Sequence, residues 1–600
     1  MLVAYFSPLA PAAILLLGAF ILPLLVALVT ARWQTSTGLR YLVASGVVEV
    51  AILFLFGIRL TLGEDVSGQG LELLSGWSFA APETVAALMV RIDELSLLYL
   101  ILTLMVLLVA TLAAPSFLSG LGNDRGDVSS WLALGAGACL VFVSANGLTL
   151  SYAVLVFDAA AVVYWLRRGH YDMGVARLLL SLFTVLALVL VTLTPTTGLV
   201  SGVLLLSLAL WLRLGLYPFF EANTYHGRRS DYEFLPYLSL SLLVTVYLAL
   251  RIPVNPLPEL VSWLVVLLML FNGLQAWLAG AYPAPGRRPY PVGESNDGEA
   301  LEQGQKTPST TEEAVGLERS TAAVEEQSPA NQPEMEPGLD EQRPPLLIPL
   351  VLTEALLILL VLPSGQVFVT ASITGLILSL VALWITPCLG PPRFSEGAWL
   401  WPYLPATAAT LTLIGLPFSL GWNARTSLYR SLFASEGSAL TFIALLAEVF
   451  ALSVLIRYWF IQWRGNEKDG RRFGVAVVVM VPFLIPGLAP LILGAITRTE
   501  LAAADFNQPP SVILALASTV VAGTVLGYFR DKIILVMKIS PVALAKFIRL
   551  GWLISWGNNL FRGLGRVILR VQIVAEGQHY MGWMLFTALI GALIVLLSYY

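Results

Sequence analysis

The sequence predicts an all-α polytopic membrane protein with about 14–16 transmembrane helices. Three observations carry that reading. Of 600 residues, 57% are hydrophobic and only 12% charged, about half of the ~25% that lets a soluble chain cover a water-facing surface. The mean hydropathy is +0.81. Apolar runs of about 20 residues, the length that crosses a hydrocarbon core, recur from one end of the chain to the other.

Sixteen such runs are legible, at 8–30, 40–61, 94–117, 128–146, 147–166, 177–195, 200–220, 235–252, 259–281, 346–363, 366–387, 402–421, 438–461, 473–495, 511–529 and 581–599. The fourth and fifth meet at Asn146-Gly147, a tight-turn dipeptide. The first has neither a basic segment before it nor a clear cleavage site, so it is expected to be a retained span and not a signal peptide.

Basic residues collect in alternate connections: Arg32 and Arg40; Arg167, Arg168 and Arg177; Arg228 and Arg229; Arg464, Lys468, Arg471 and Arg472. Cytoplasmic loops carry the Lys/Arg excess, so the N-terminus is expected outside a multi-pass cell (inner) membrane. Residues 283–345 hold 13 of the 38 acidic residues and 5 of the 34 basic ones. They are rich in Pro, Glu, Gln, Ser and Thr, a composition that buries too little apolar surface to fold; a disordered cytoplasmic linker is expected. Residues 530–578 contain Arg562, Arg566 and Arg570 at helical spacing among Ile, Leu, Val and Trp, the pattern of a basic amphipathic helix lying in the cytoplasmic interface. The expected organisation is N-terminal helices with an external loop (1–127), a first membrane half (128–282), the linker (283–345), a second half with the helices after it (346–529), the lateral segment (530–578) and a last span (579–600).

Cys139 and Cys388 lie far apart in apolar sequence, and His170, His226 and His579 have no metal-ligand spacing. No metal, redox cofactor or disulfide framework is expected of this chain. No nucleophile–base pair points to a catalytic centre of its own. Ionisable groups inside spans are costly and mark function by default. They are Asp158, Arg213, Glu354, Arg425 and Glu448, together with Glu49, which is placed near a span end or a lipid headgroup. Asp158 and Arg213, opposite in sign and two helices apart, are expected to pair, because either alone is heavily penalised.

These residues resemble a family. Arg213-x4-Pro218-Phe219-Phe220, then Tyr225-His226-Gly227 and Tyr247-x3-Arg251, look like the seventh and eighth helices of antiporter-like subunits. Such subunits occur in proton-pumping NADH–quinone oxidoreductase (complex I), membrane-bound hydrogenases and Mrp cation/proton antiporters. Ser144-Ala145-Asn146-Gly147-Leu148 before Asp158, Val90-Arg91-Ile92-Asp93-Glu94-Leu95-Ser96, and Gly415-Leu416-Pro417-Phe418-Ser419-Leu420-Gly421-Trp422-Asn423-Ala424-Arg425 resemble three further motifs. The resemblance spans roughly residues 90–500. It implies two inverted five-helix repeats, each with a broken helix and a buried charge. Asp158 stands in the place of a glutamate, Arg213 in that of a lysine, and Arg425 in that of a distal lysine or glutamate. Leu243 stands where the family usually has a lysine or histidine, and residues 283–345 interrupt the place of its Asp-Leu-Lys-Arg-like junction. Buried lysine can lose its proton, whereas arginine keeps its own, so the polar relay is depleted.

The resemblance implies a non-redox membrane-arm subunit of a complex I-like respiratory oxidoreductase, taking part in or structurally supporting proton translocation coupled to quinone reduction. Its partners would be other membrane subunits, the lipid bilayer, and protons or monovalent cations, with no nucleic acid. A subunit of an Mrp-type antiporter, an inorganic-carbon uptake complex or a membrane-bound hydrogenase is the alternative within the same fold; a stand-alone secondary transporter is a further one.

Overall fold

A backbone that crosses lipid must satisfy its own hydrogen bonds, and continuous helices do so. The structure, a computed structural model, describes residues 8–32, 38–62, 71–74, 88–118, 127–167, 171–193, part of 206–213, 235–251, 259–279, 366–384, 403–434, 438–463, 473–496 and 509–537. Among them the helices are α1 (Ala10–Arg32), α2 (Gly38–Leu62), α3 (Glu94–Leu118), α4 (Asp127–Val143), α5 (Gly147–Arg167), α6 (Tyr171–Leu193), α7 (Leu235–Arg251), α8 (Glu259–Ala279), α9 (Gln366–Leu383), α10 (Leu404–Ile414), α11 (Leu420–Ala434), α12 (Ser438–Trp463), α13 (Phe473–Ile496) and α14 (Pro510–Met537). Five of them are long and apolar enough to cross a membrane, and shorter apolar helices accompany them. The chain is an all-α multi-pass membrane protein. Its outer surface is correspondingly apolar: Leu17, Phe20, Leu53, Phe56, Leu179 and Leu182 are exposed.

α1 to α7 form one bundle, in which α4 packs on α1, α3, α5 and α7. The second bundle gathers α9 to α14, and α8 joins it through α12. The two meet where α3 touches α9 and α13 and where α7 touches α9. Glycines let helices approach at backbone distance, as small residues do in membrane interfaces. A Cβ on Gly137 of α4 would stand 2.7 Å from the Phe157 Cα of α5, and one on Gly527 of α14 2.7 Å from the Ser453 carbonyl oxygen of α12.

Several expectations change. The connection between the second and third spans contains a two-stranded antiparallel hairpin, β1 (Leu71–Leu74) with β2 (Leu88–Val90), registering Leu71 opposite Val90. α6 begins at Tyr171 instead of 177, so Arg177 lies inside the helix and is buried rather than facing a cytoplasmic loop. The run 402–421 is not one continuous span: α10 stops at Ile414 and α11 starts at Leu420. α14 continues past residue 529 to Met537. Its Arg530 is buried, with Nη2 donating to the Leu278 carbonyl of α8 at 3.0 Å and the guanidinium 5.6 Å from the Trp277 ring. A cation at a helix C-terminus is favourably placed. The linker, the spans at 346–363 and 581–599 with Glu354, most of 200–220 and the lateral segment beyond Met537 lie outside the described residues, and so does much of the expected repeat symmetry.

Gly137→Ala forces α4 and α5 apart at a backbone contact. It is expected to cost about 1–3 kcal/mol, the usual range for overpacking, seen as a lower thermal midpoint of the purified full chain. Gly46→Ala, where nothing lies within 4 Å of the added Cβ, is expected to leave that midpoint unchanged.

Candidate functional site: two buried charge clusters and an end-cap

The first cluster is built on α5. Asn146 caps its N-terminus, its Oδ1 accepting from the Thr149 amide at 2.8 Å and hydroxyl at 2.6 Å, the side-chain cap expected of asparagine. Three turns on, Asp158 faces the bundle interior. Its Oδ2 accepts from Arg213 Nη1 at 2.6 Å and its Oδ1 from Arg213 Nη2 at 2.9 Å, the bidentate geometry that suits guanidinium and carboxylate. The same Oδ1 accepts from Arg177 Nε at 3.0 Å. Side-chain exposure is 1% for Asp158, 0% for Arg213 and 3% for Arg177. The Phe157 ring lies 5.9 Å from the Arg177 guanidinium and 6.0 Å from that of Arg213, and the Tyr237 ring 5.7 Å from Arg177. Aromatic faces favour cations when water is excluded. Arg177 Nη2 also reaches Ser241 Oγ of α7 at 3.4 Å.

Sequence reasoning singled out Asp158 and Arg213, and the structure brings them together. It missed Arg177 as a third member, because that residue sits at the edge of its apolar run, where arginines ordinarily face water. One carboxylate therefore holds two guanidinium groups.

The second cluster surrounds the break between α10 and α11. Gly415, at φ 83°, ends α10 with its amide donating to the Thr412 carbonyl at 2.9 Å, while the Leu416 amide reaches Leu411 at 2.9 Å. This is the left-handed glycine stop common at helix C-termini. Pro417 then prevents continuation, Phe418 takes φ 73°, and Ser419 Oγ caps α11 by accepting from the Trp422 amide at 3.1 Å. The break is held closely: a Cβ on Gly421 would collide with the Thr412 carbonyl oxygen, and one on Gly415 would stand 2.8 Å from the Arg425 Cδ. The Arg425 side chain thus runs back over the break. Its Nη1 pairs with Glu448 Oε1 of α12 at 3.1 Å, both side chains buried. Glu448 Oε2 accepts from the Tyr429 hydroxyl, which lies 3.2 Å from Thr519 Oγ1 of α14. Arg425 and Glu448 are both sequence candidates and come together; Glu354 lies outside the described residues; Glu49 is exposed on α2.

An end-cap joins α3, α4, α5, α7 and the hairpin. Asp93 caps α3, its Oδ1 accepting from the Ser96 amide at 2.8 Å and hydroxyl at 2.7 Å, and its Oδ2 pairs with Arg251 Nη2 at 2.5 Å. Arg251 Nε donates to the Tyr247 hydroxyl at 2.8 Å, and that hydroxyl donates to the Phe142 carbonyl at 2.6 Å. The hairpin is stitched on by Arg91 N to Val143 O at 2.7 Å and Ala145 N to Met89 O at 2.9 Å. Burial alone would raise the Asp93 carboxyl, but the Ser96 hydrogen bonds and the Arg251 guanidinium hold it below its ordinary value. Leu243, where the sequence resemblance expects a lysine or histidine, is fully buried among apolar side chains.

No protein-family profile matches the chain, and no curated protein matches it in sequence. Solved structures do match. The chain is similar to one in respiratory complex I from Thermus thermophilus with bound aureothin, at TM-score 0.54 and 14% identity over 82% of this chain and 99% of that one. It is similar to a chain of membrane-bound sulfane sulfur reductase, an archaeal respiratory membrane complex, at TM-score 0.57 and 14% identity over 97% of this chain and 99% of that one. A chain of the Mrp complex from Dietzia sp. matches at TM-score 0.57 and 15% identity, over 94% of this chain and 62% of that one. The fold is that of antiporter-like membrane subunits, and these neighbours belong to multisubunit membrane complexes.

Asp158→Asn leaves two guanidinium groups without their shared carboxylate, an expected loss of roughly 3–5 kcal/mol. Asp158→Asn with Arg213→Gln is expected to remain destabilised, because Arg177 keeps its charge; adding Arg177→Gln is expected to recover most of the loss. Thermal unfolding of the full chain in detergent checks the series.

The end-cap gives a pH prediction. The folded value of Asp93 lies below the unfolded one, so its stabilisation is present in full above the ordinary carboxylate pKa of about 4. It is lost as pH falls through the depressed folded value. Acidification from about pH 5 to about pH 3 is expected to lower the thermal midpoint of the unmodified chain more than that of Asp93→Asn.

Proposed function

We propose that this chain is a non-redox membrane-arm subunit of a complex I-like respiratory oxidoreductase, where it takes part in or structurally supports proton translocation coupled to quinone reduction. The observation that carries the reading is the recurrence of a fully buried carboxylate–guanidinium cluster in each bundle of a fold shared with complex I and sulfane sulfur reductase chains. Buried ion pairs are weak sources of stability, and intramembrane charges mark ion pathways and switches. Arg213 and Arg425 hold their protons, so the role assigned to them is electrostatic: they set the field at Asp158 and Glu448. Its partners in this reading are neighbouring membrane subunits, lipid, and protons or monovalent cations. The N-terminus faces outward and the basic connections, the linker and the lateral segment face the cytoplasm, as the distribution of bases favours. An Mrp-type antiporter subunit is the second reading, favoured by the Mrp chain's similarity over 94% of this chain.

The test is purification of the tagged full chain from its native membranes in mild detergent. Co-purification of iron–sulfur and quinone-reducing subunits is the expected result; recovery with sodium/proton-exchange subunits alone moves the chain to the second reading, and recovery alone overturns both. In the intact complex, Arg213→Lys and Arg425→Lys are expected to assemble and keep turnover, because each preserves the charge. Replacing Asp158 by Asn is expected to reduce protons moved per electron pair, measured by acidification of vesicles against quinone reduction.

A further inference from the structure

One charge within the membrane belongs to neither cluster. Glu49 lies on α2, whose apolar span runs Arg40–Leu60. Helix rise puts it about 14 Å from one end of that span and about 17 Å from the other. It therefore stands near the middle of a ~30 Å hydrocarbon core, and not at the span end or headgroup expected for it. The side chain is exposed and makes no hydrogen bond or ion pair among the described residues. Glutamate is shorter than the lysine and arginine stems that snorkel, so it cannot reach water from there. The helices that touch α2 offer it no cation among the described residues. α1 carries its one base, Arg32, at its last position, and α3 and α4 carry none.

α2 has two opposite faces with the same kind of spacing. Tyr41, Ala44, Val48, Ala51, Leu55 and Ile58 are buried against the first bundle. Leu42, Gly46, Glu49, Leu53, Phe56 and Leu60 form the other face, stepping alternately by four and three residues. Its four large apolar side chains are 60–83% exposed, and a Cβ on Gly46 would meet nothing within 4 Å. Alternating steps of four and three keep one face of a helix against a second helix along its length. The inner face is used in this way; lipid needs no such register from the outer one. A polar residue at one core position of such a seam fixes partner and register, and a glycine lets the partner's backbone come close. Lipid gives an ionised carboxylate nothing to bond.

We propose that the outer face of α2 is a subunit interface, covered by a transmembrane helix of a different membrane subunit that sets an arginine, lysine or histidine against Glu49. The partner is basic because an acid at mid-membrane is compensated by an opposite charge. It is not a second copy of this chain seated on the same face, since a two-fold contact presents the same patch on both sides and would set Glu49 against Glu49. Gly46, one turn before Glu49, is where the two backbones come closest, and Leu53 and Phe56 pack beyond the charge. The inference needs a membrane neighbour, as both readings above do, but not a redox one.

The experiment places the photo-reactive residue p-benzoylphenylalanine at Leu53 or Phe56 of the full chain in its native membranes and sequences the cross-linked peptide. The expected product joins α2 to a span of another membrane subunit that carries a base within one turn of the level of Glu49. Glu49→Lys is then expected to lower recovery of that subunit with the tagged chain at least about tenfold. Exchanging the mapped base for glutamate in the same cells restores it. Glu49→Gln leaves the thermal midpoint of the separated chain unchanged, because no contact within the chain is lost. Dicyclohexylcarbodiimide, which modifies carboxyl groups in apolar surroundings, is expected to label Glu49 in the separated chain but not in the intact complex. Adducts to lipid only, to another segment of this chain or to a second copy overturn the proposal. So do a cross-linked span without a base, failure of the charge exchange, or equal carbodiimide labelling in both preparations. Lipid adducts with the complex intact overturn this interface alone, whereas a chain recovered without any partner overturns the subunit assignment as well.

Discussion

The sharing of one carboxylate by two guanidinium groups governs the first bundle. Asp158, Arg177 and Arg213 come from three separate helical segments, and lipid offers none of them an alternative partner. Moving a charge of this size out of water costs several kcal/mol even after relaxation. The helices that carry these residues therefore cannot turn or slide independently. α5 is fixed at its N-terminus by the Asn146 cap and at its C-terminus by Arg167, whose Nη1 reaches Ser129 Oγ at 3.0 Å. Gly137 lets α4 lie directly against the backbone of α5 at the turn that presents Asp158. Packing and charge thus specify the same register. The aromatic faces of Phe157 and Tyr237 supply the rest of the cluster's surroundings.

The second bundle solves the same problem with a different device. Breaking the span at Gly415–Ser419 exposes backbone groups that lipid cannot satisfy, so the break must be enclosed by protein. Gly494 of α13 lies against the Phe418 carbonyl oxygen, where a Cβ would stand at 2.5 Å. α13 tolerates Pro482, Pro486 and Pro490 within its length, as membrane helices do when neighbours cover the freed carbonyls. The break lets α11 begin afresh as a polar helix, carrying Asn423, Arg425, Thr426 and Ser427 into the interior. Arg425 reaches Glu448 only because glycine at 415 leaves room for its stem.

How far the sequence disclosed this follows from the range of each signal. Helices were legible because a run of about 20 apolar residues is a local property. Asp158, Arg213, Arg425 and Glu448 stood out because a charge in an apolar run is conspicuous wherever it lands. The break was written locally too, in Gly415, Pro417 and the capping Ser419. Arg177 was not legible: hydropathy trims a helix at its first charge, so the rule that finds spans sent this residue to the loop. The Asp93–Arg251 pair joins residues far apart in sequence, each ordinary at a span end. The hairpin escaped for a similar reason, since Leu71–Leu74 pairs through its backbone and the alternation that marks a strand needs more residues than it has.

In the proposed reading, arginine at the positions where the sequence resemblance expects lysine bears on mechanism more than the number of charges does. A desolvated lysine can exist in two protonation states within a membrane, and a relay built on it passes a proton through the lysine itself. Arginine removes that state. At the triad two guanidinium groups share one carboxylate, so a displacement of either changes the field at Asp158. A motion of α6 or α7 of one side-chain length would suffice, since Arg177 bridges Asp158 to Ser241. Leu243 places an apolar, non-titratable side chain at that position of α7, so in the proposed reading the coupling between bundles is carried by the field and by the helix contacts at α3–α9 and α7–α9. In the proposed reading, the two clusters act on one another by charge, with no proton handed from one bundle to the other.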